Sequence, residues 1–219
     1  MKFEKNIKNG LYLISDENLL KRKDFILSVK KALASGIKII QIREKKSSLK
    51  DRMTLCCEVA KLVKLYKAEL IINDDPFLAK LCKAKGVHIG KNDGSVKRAR
   101  EILGKDAYIG VSCYGDINSA LKSQQDGADY VSFGNFYFSQ VKPEEKIEDL
   151  RVIEKAKERL KIPVLAIGGI NEDNCSEVFA AGADAVCCVS AFILSKDIKK
   201  TAEKISEIKR RINGNKSQK

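Results

Sequence analysis

Tryptophan is absent from the 219-residue sequence, and histidine occurs once, at position 88. That histidine sits between Val87 and Ile89 and reads as a satisfied core imidazole. With no second histidine and no positioned cysteine, a histidine-based hydrolytic relay is poorly supported. Metal-ligand spacing is missing among the cysteines at 56, 57, 82, 113, 175, 187 and 188, whose total is odd. They read as reduced, mostly buried thiols. No apolar run reaches membrane length, and MKFEKNIKNG passes into the short block LYLI without the pattern of a secretion signal. The expectation is a cytoplasmic protein with no membrane partner. Zinc-finger spacing, an aromatic-rich RNA-binding strand and a separate basic arm are missing as well, which argues against nucleic acid.

Acidic residues are in deficit, 29 against 42 basic ones, for a formal charge of +13. Nine of the basic residues and only three acidic ones fall within 196–219, where a solvated helix face and a flexible basic tail at 212–219 account for them. Anionic small molecules remain in play. The length suits one domain, 1–219, with a sizeable core.

Short apolar runs recur at LYLI (11–14), IKIIQI (37–42), ELIIN (69–73), VHI (87–89), AYIGV (107–111), DYVSF (129–133), PVLAI (163–167) and DAVCCV (184–189). Between them, apolar residues return every three or four positions, most clearly in DFILSVKKALASG, SLKDRMTLCCEVAKLVKLYK and LRVIEKAKERL. The strands are apolar through both faces, as expected of parallel strands covered by helices. ASGIKII, AKGVHI, QDGADYV and AAGADAV each set a glycine between helix and strand, where a left-handed cap releases the chain. Eight such units predict a (β/α)8 TIM barrel in the α/β class, with a doubly wound open sheet as the alternative.

In a barrel, residues following the strands converge on one rim, where active sites are built. Those junctions hold Gln41, Arg43 and Lys45; Asn73, Asp74 and Asp75; Gly90 to Asp93; Ser112; Gly134 to Lys142; Gly168 to Asn171; and Val189 with Ser190. Cations, carboxylates, glycines and small hydroxyls facing one space suit a phosphate ester with a divalent metal. Arg43 offers a fork of donors and Lys45 a mobile charge, with Lys142 beyond a later strand. The plain alternative for REKK is a wet loop. Asp74 with Asp93 would provide an oxygen-rich Mg2+ site, although Asp75 before Pro76 reads equally as a helix cap and Asp93 as a turn residue. AIGGI and VSAF offer close backbone approach and N–H donors to a phosphate, or simply tight turns. Cys113, beside Ser112, reads as pocket lining.

At these rim positions the chain resembles the thiamine-phosphate synthase family of (β/α)8 barrels. The matching blocks are QIREK (41–45), INDD (72–75), GVHIG (86–90) with Asp93 beyond, IGVSCY (109–114), GADYVSFGNFYFS (127–139) with Lys142 beyond, AIGGI (166–170) and GADAVCCVSAF (182–192), in order over nearly the whole chain. The resemblance implies a transferase that joins a hydroxymethylpyrimidine diphosphate to a hydroxyethylthiazole phosphate with release of pyrophosphate. It implies that Gln41, Arg43, Lys45, Asn73 and Lys142 surround the diphosphate and pyrimidine, and that Asp74 and Asp93 hold Mg2+. Ser112 would touch the leaving group, and Ser139, Gly168, Gly169, Val189 and Ser190 would receive the thiazole phosphate. Two positions depart from the family pattern: Lys91 stands where many members have glutamine, and Val141 where a threonine usually precedes the lysine. The second removes a hydroxyl from the expected thiazole-phosphate contacts. Related barrels act as thiazole tautomerases through a histidine in the loop containing Ser112, which here reads VSCYGD without one. A tautomerase or other phosphosubstrate isomerase, and a noncatalytic phospholigand-binding barrel, are the alternative functions. Assembly into a homo-oligomer stays open.

Overall fold

Each apolar run between helical stretches becomes a strand in the computed structural model, which describes residues 2–16, 19, 21–90, 93–138 and 148–216. The strands are β1 (Leu11–Ile14), β2 (Ile39–Ile42), β3 (Glu69–Asn73), β4 (Gly86–Ile89), β5 (Tyr108–Tyr114), β6 (Tyr130–Phe133), β7 (Val164–Ile167) and β8 (Ala185–Cys188). All pair in parallel in chain order, and β8 returns to β1 through Leu11↔Val186, closing the barrel. The closed ring excludes the open-sheet alternative. Around it run α1 (Lys2–Asn6), α2 (Arg22–Ala34), α3 (Leu49–Leu65), α4 (Pro76–Leu81), α5 (Val96–Leu103), α6 (Ile117–Gln125), α7 (Arg151–Arg159), α8 (Cys175–Ala180), α9 (Ser190–Ile193) and α10 (Ile198–Lys216).

The two-residue period of a strand sorts its side chains between two cores. Ile40, Ile72, Val87, Ile109, Val131, Val164 and Val186 point outward, against the helices. Tyr12, Ile39, Ile71, Tyr108, Tyr130, Leu165 and Cys187 fill the barrel. Burial on both faces is why the strands carry no polar alternation. Caps then set the helices on the strand ends: Ser48, Asp75, Ser95 and Asp116 accept first-turn N–H groups of α3, α4, α5 and α6.

The repeated GAD triplet has a specific task. Asp129 Oδ2, just before β6, accepts the Ile109 N–H at 2.8 Å and pairs with Arg100 at 2.7 Å. Asp184, before β8, repeats this with the Val164 N–H and Lys157, each at 2.7 Å. Each carboxylate ties a helix to the start of the neighbouring strand. Gly36, Gly127 and Gly182 take the left-handed conformation expected between helix and strand. The glycine of AKGVHI does not: Gly86 lies within β4, and Lys83 is the left-handed residue there. A Cβ on Gly86 would stand 1.9 Å from the Tyr108 carbonyl oxygen, so close strand approach demands this glycine.

The sequence reading assigns no element to the first ten residues, yet α1 closes the N-terminal end of the barrel. Its Phe3 ring stacks on Tyr130 at 4.3 Å and meets Tyr108 edge-on at 5.2 Å. Five residues are too few for a helical period to register. Because Phe3 is almost fully enclosed, Phe3→Ala should cost about 3 kcal/mol of stability, measured by urea denaturation.

At the other terminus, α10 runs through Lys216, so residues 212–216 continue a helix where the sequence reading opens a tail. Ile205, Ile208 and Ile212 keep the apolar stripe against the core, which holds the last turns in place. Residues 217–219 lie outside the described ones. Among the described residues, no helix is long and apolar enough to cross a membrane. Six of the seven cysteines are buried and all are free, with Cys57 exposed.

Candidate active site

The C-terminal ends of the strands surround a pocket lined by Gln41, Arg43, Asn73, Ser112, Gly168, Gly169, Val189 and Ser190. Each lies in the C-terminal half of a strand or just beyond it, so barrel closure alone gathers residues scattered over 150 positions of sequence (41 to 190). Lys45, Asp74 and Asp93 form an adjoining cluster on the rim. Ser139 and Lys142, together with the departures Lys91 and Val141, lie outside the described residues.

Arg43 is held by partners that the sequence reading passes over. Its N–H donates to Ser15 Oγ at 2.7 Å, and Nη1 pairs at 3.3 Å with Asp16, a carboxylate only 2% exposed. Ser15 and Asp16 follow β1 as Arg43 follows β2; extending the junction argument to the first strand identifies them. β2 ends at Ile42, so Lys45 reaches the rim from a loop. Its Nζ meets Asp74 Oδ2 at 3.1 Å while the side chain stays 52% exposed. Lys46 is exposed.

The three carboxylates after β3 and β4 divide their work. Asp75 caps α4, its Oδ1 accepting the Leu78 N–H at 2.8 Å ahead of Pro76, which is the helix-cap alternative realised. Asp74 takes φ 64°, a conformation rare for any residue but glycine and least so for asparagine and aspartate, and its N–H donates to the His88 carbonyl at 2.7 Å. Asp93 folds back so that Oδ2 accepts the Gly90 N–H at 3.1 Å. Burial pushes the Asp74 carboxyl above its ordinary pKa; Lys45 opposes the shift and the adjacent Asp93 carboxyl adds to it. Two carboxylates therefore face each other with one cation beside them. Among the described residues, no group of three or more histidine, cysteine or acidic side chains is arranged to hold a metal.

The far wall is backbone. Gly168 and Gly169 have φ of 102° and 62°, and a Cβ on either would fall 2.2 Å from Asn135 Oδ1 or the Phe138 carbonyl oxygen respectively. Only glycine allows the turn after β7 to lie against the segment leaving β6. Val189 and Ser190 open α9 after β8, where first-turn N–H groups lack helical acceptors.

The floor is a buried polar cluster. Gln41 Nε2 donates to Tyr12 Oη at 2.7 Å, Tyr12 meets Tyr130 Oη at 2.9 Å, and Tyr130 meets His88 Nδ1 at 3.1 Å. His88 Nε2 lies 3.1 Å from Ser112 Oγ and 3.4 Å from Ser132 Oγ. Burial lowers the imidazole pKa to about 4, so His88 is neutral at physiological pH. It is the satisfied interior histidine that its apolar neighbours suggest. Cys113 is a correction: it does not line the pocket but packs outward, hydrogen bonded to the Val111 carbonyl, because it alternates with inward-facing Ser112. Burial drives its thiol up to about 12, which leaves it inert.

Known proteins are similar to this chain over most of its length. A thiamine-phosphate synthase from Nitrosococcus oceani is 42% identical over 193 residues, covering 88% of this chain and 89% of that one. One from Clostridium acetobutylicum is 37% identical over 204 residues, covering 93% and 96%. A solved thiamine phosphate pyrophosphorylase from Pyrococcus furiosus superposes with a TM-score of 0.84 at 31% identity, over 94% of this chain and 98% of its own. The family model for thiamine monophosphate synthase spans residues 11–192, from the first strand through the turn after the last. With every rim block inside that span, the chain belongs to the thiamine monophosphate synthase family and is an enzyme of thiamine biosynthesis.

Proposed function

We propose that the protein condenses 4-amino-2-methyl-5-pyrimidinylmethyl diphosphate with 4-methyl-5-(2-hydroxyethyl)thiazole phosphate, forming thiamine phosphate and releasing pyrophosphate. The observation that carries this reading is the charge layout of the mouth. Lys45 and paired acids stand at one side, Arg43 stands at the pocket, and a glycine-built wall lies opposite. Asp74 and Asp93 suit Mg2+, since they offer oxygen donors from adjacent strand ends and leave the remaining positions to phosphate oxygens and water. When bound there, Mg2+ would neutralise charge on the diphosphate.

The protein's own groups would do the rest. Gln41 and Asn73 hold the pyrimidine end, and Arg43, Lys45, Ser112 and Lys142 surround the diphosphate. As the carbon–oxygen bond breaks, positive character develops on the methylene carbon and is delocalised by the aminopyrimidine. Negative charge grows on the departing pyrophosphate, where Arg43, Lys45 and Lys142 are most useful. Gly168, Gly169, Val189, Ser190 and Ser139 anchor the thiazole phosphate, so that the ring nitrogen attacks the carbon as a local event. No protein nucleophile is required.

Purified protein supplied with both precursors and Mg2+ should form thiamine phosphate and pyrophosphate one for one. A folded protein that binds either precursor without making product overturns the reading. Within it, Lys45→Met should lower the single-turnover rate by about 10²-fold at saturating precursors. Lys46→Met should leave that rate within about threefold, since neutralising an exposed charge outside the cluster costs little. Equal rates in the two variants would remove Lys45 from the leaving-group site. Equal losses of diphosphate binding with chemistry intact would assign both lysines to substrate capture.

A further inference from the structure

The cluster beneath the pocket contains a chain of hydrogen bonds whose direction follows from the orientation of the Gln41 amide. Gln41 Nε2 has only hydrogens to offer, so Tyr12 Oη accepts from it. The Tyr12 hydroxyl has one remaining partner, Tyr130 Oη, and must donate there. Tyr130, having accepted, donates to its own remaining partner, His88 Nδ1. A neutral imidazole with a bare Nδ1 carries its proton on Nε2, where Ser112 Oγ, at 3.1 Å, is the nearest acceptor. From Gln41 to His88 each hydrogen is then used once, and the chain leaves two ends at the pocket. Gln41 Oε1 is left to the pocket that Gln41 borders, and the Ser112 and Ser132 hydroxyls, 3.4 Å apart and both lining that pocket, can spend one hydrogen between them and keep the other for a substrate. Turning the Gln41 amide over would reverse each link, move the histidine proton to Nδ1, and present a donor at Gln41 and an acceptor at Ser112.

We infer that this one-way chain makes Tyr12, Tyr130 and His88 positioning residues, which fix Gln41 as an acceptor and the Ser112–Ser132 hydroxyl pair as a donor toward the substrate. The enzyme thereby selects a pyrimidine bearing a ring amino group over one bearing an oxo group. The inference rests on the substrate reading above. An amino substituent donates and meets Gln41 Oε1, whereas an oxo group would set two acceptors against each other at a residue only 1% exposed. At the other end, a serine donor suits the anionic leaving group.

His88 is the sole histidine, so protein labelled with 15N-histidine gives one pair of ring signals to read. The expected result is the Nε2–H tautomer in the wild type; an Nδ1–H tautomer overturns the chain. Tyr130→Phe and Tyr12→Phe keep the rings, including the Tyr130 stack on Phe3, and break the relay at one hydroxyl. Each should lower the kcat/KM preference for the amino over the oxo pyrimidine diphosphate by about tenfold or more. KM for the thiazole phosphate should not move, and Tyr130→Phe should mix the His88 tautomers. Folded variants that keep both wild-type selectivity and the pure tautomer overturn the inference. A wild-type protein that turns over neither pyrimidine removes the substrate reading and the selectivity with it, while the tautomer still reports on the chain.

Discussion

Asp74→Asn and Asp93→Asn should each lower magnesium-dependent turnover by about 10²-fold or more, while the unfolding midpoint stays near that of the wild type. Asparagine matches aspartate in size and tolerates the left-handed backbone that Asp74 adopts at φ 64°. At position 93 an amide oxygen can still accept the Gly90 N–H now held at 3.1 Å. The salt bridge lost from Lys45 is half exposed and contributes little to folding. Neutralising one member of a facing carboxylate pair also relieves the repulsion that helps raise the Asp74 pKa, so stability should hold or rise slightly. Activity and stability thus part company, as the proposed metal role of the two carboxylates requires. Rates measured across a magnesium titration, beside urea denaturation of each variant, make the comparison. Wild-type rates at every magnesium concentration in both variants would overturn the proposed metal role of Asp74 and Asp93.

The barrel was legible because its signal is repeated and local. Strands buried on both faces leave continuous apolar runs, and β1 and β3 have the same bounds in the sequence reading and the structure. Gln41, Arg43, Asn73, Ser112, Gly168, Gly169, Val189 and Ser190 could be named because position after a strand is a statement about chain order, which closure turns into proximity. What escaped depends on contacts distant in sequence. Phe3 is structural only because Tyr108 and Tyr130 wait more than a hundred residues later. Gly86 resembles a helix cap by its neighbours but is required by the Tyr108 carbonyl. Cys113 was misplaced by one step of strand alternation, since residues beside each other on a strand face opposite cores. Tyr12 and Tyr130 look like ordinary apolar strand residues until their hydroxyls meet inside the barrel.

Gly169→Val should raise KM for the thiazole phosphate by about 10²-fold, against about tenfold for Ser190→Ala, with dependence on the pyrimidine diphosphate changed much less in both. The serine variant loses one hydroxyl at the start of α9 and leaves the backbone as it was. The glycine variant meets two obstacles. At φ 62° a β-branched residue is strained, and its Cβ would lie 2.2 Å from the Phe138 carbonyl oxygen and 2.8 Å from Tyr137 Cβ. Either the turn after β7 or the segment at Tyr137 and Phe138 must move, and both border the place proposed for the phosphate. The Asn174 side chain, which donates to the Gly169 carbonyl at 3.0 Å, ties any shift of that turn to the start of α8. The barrel should survive, because β7 itself is held by Val164, Leu165 and Ala166, all fully buried and ahead of the turn that carries Gly169. Circular dichroism and thermal unfolding test that survival. Saturation curves with each precursor varied separately then decide the assignment, and a folded Gly169→Val protein with unchanged dependence on the thiazole phosphate would move that substrate away from the last two loops.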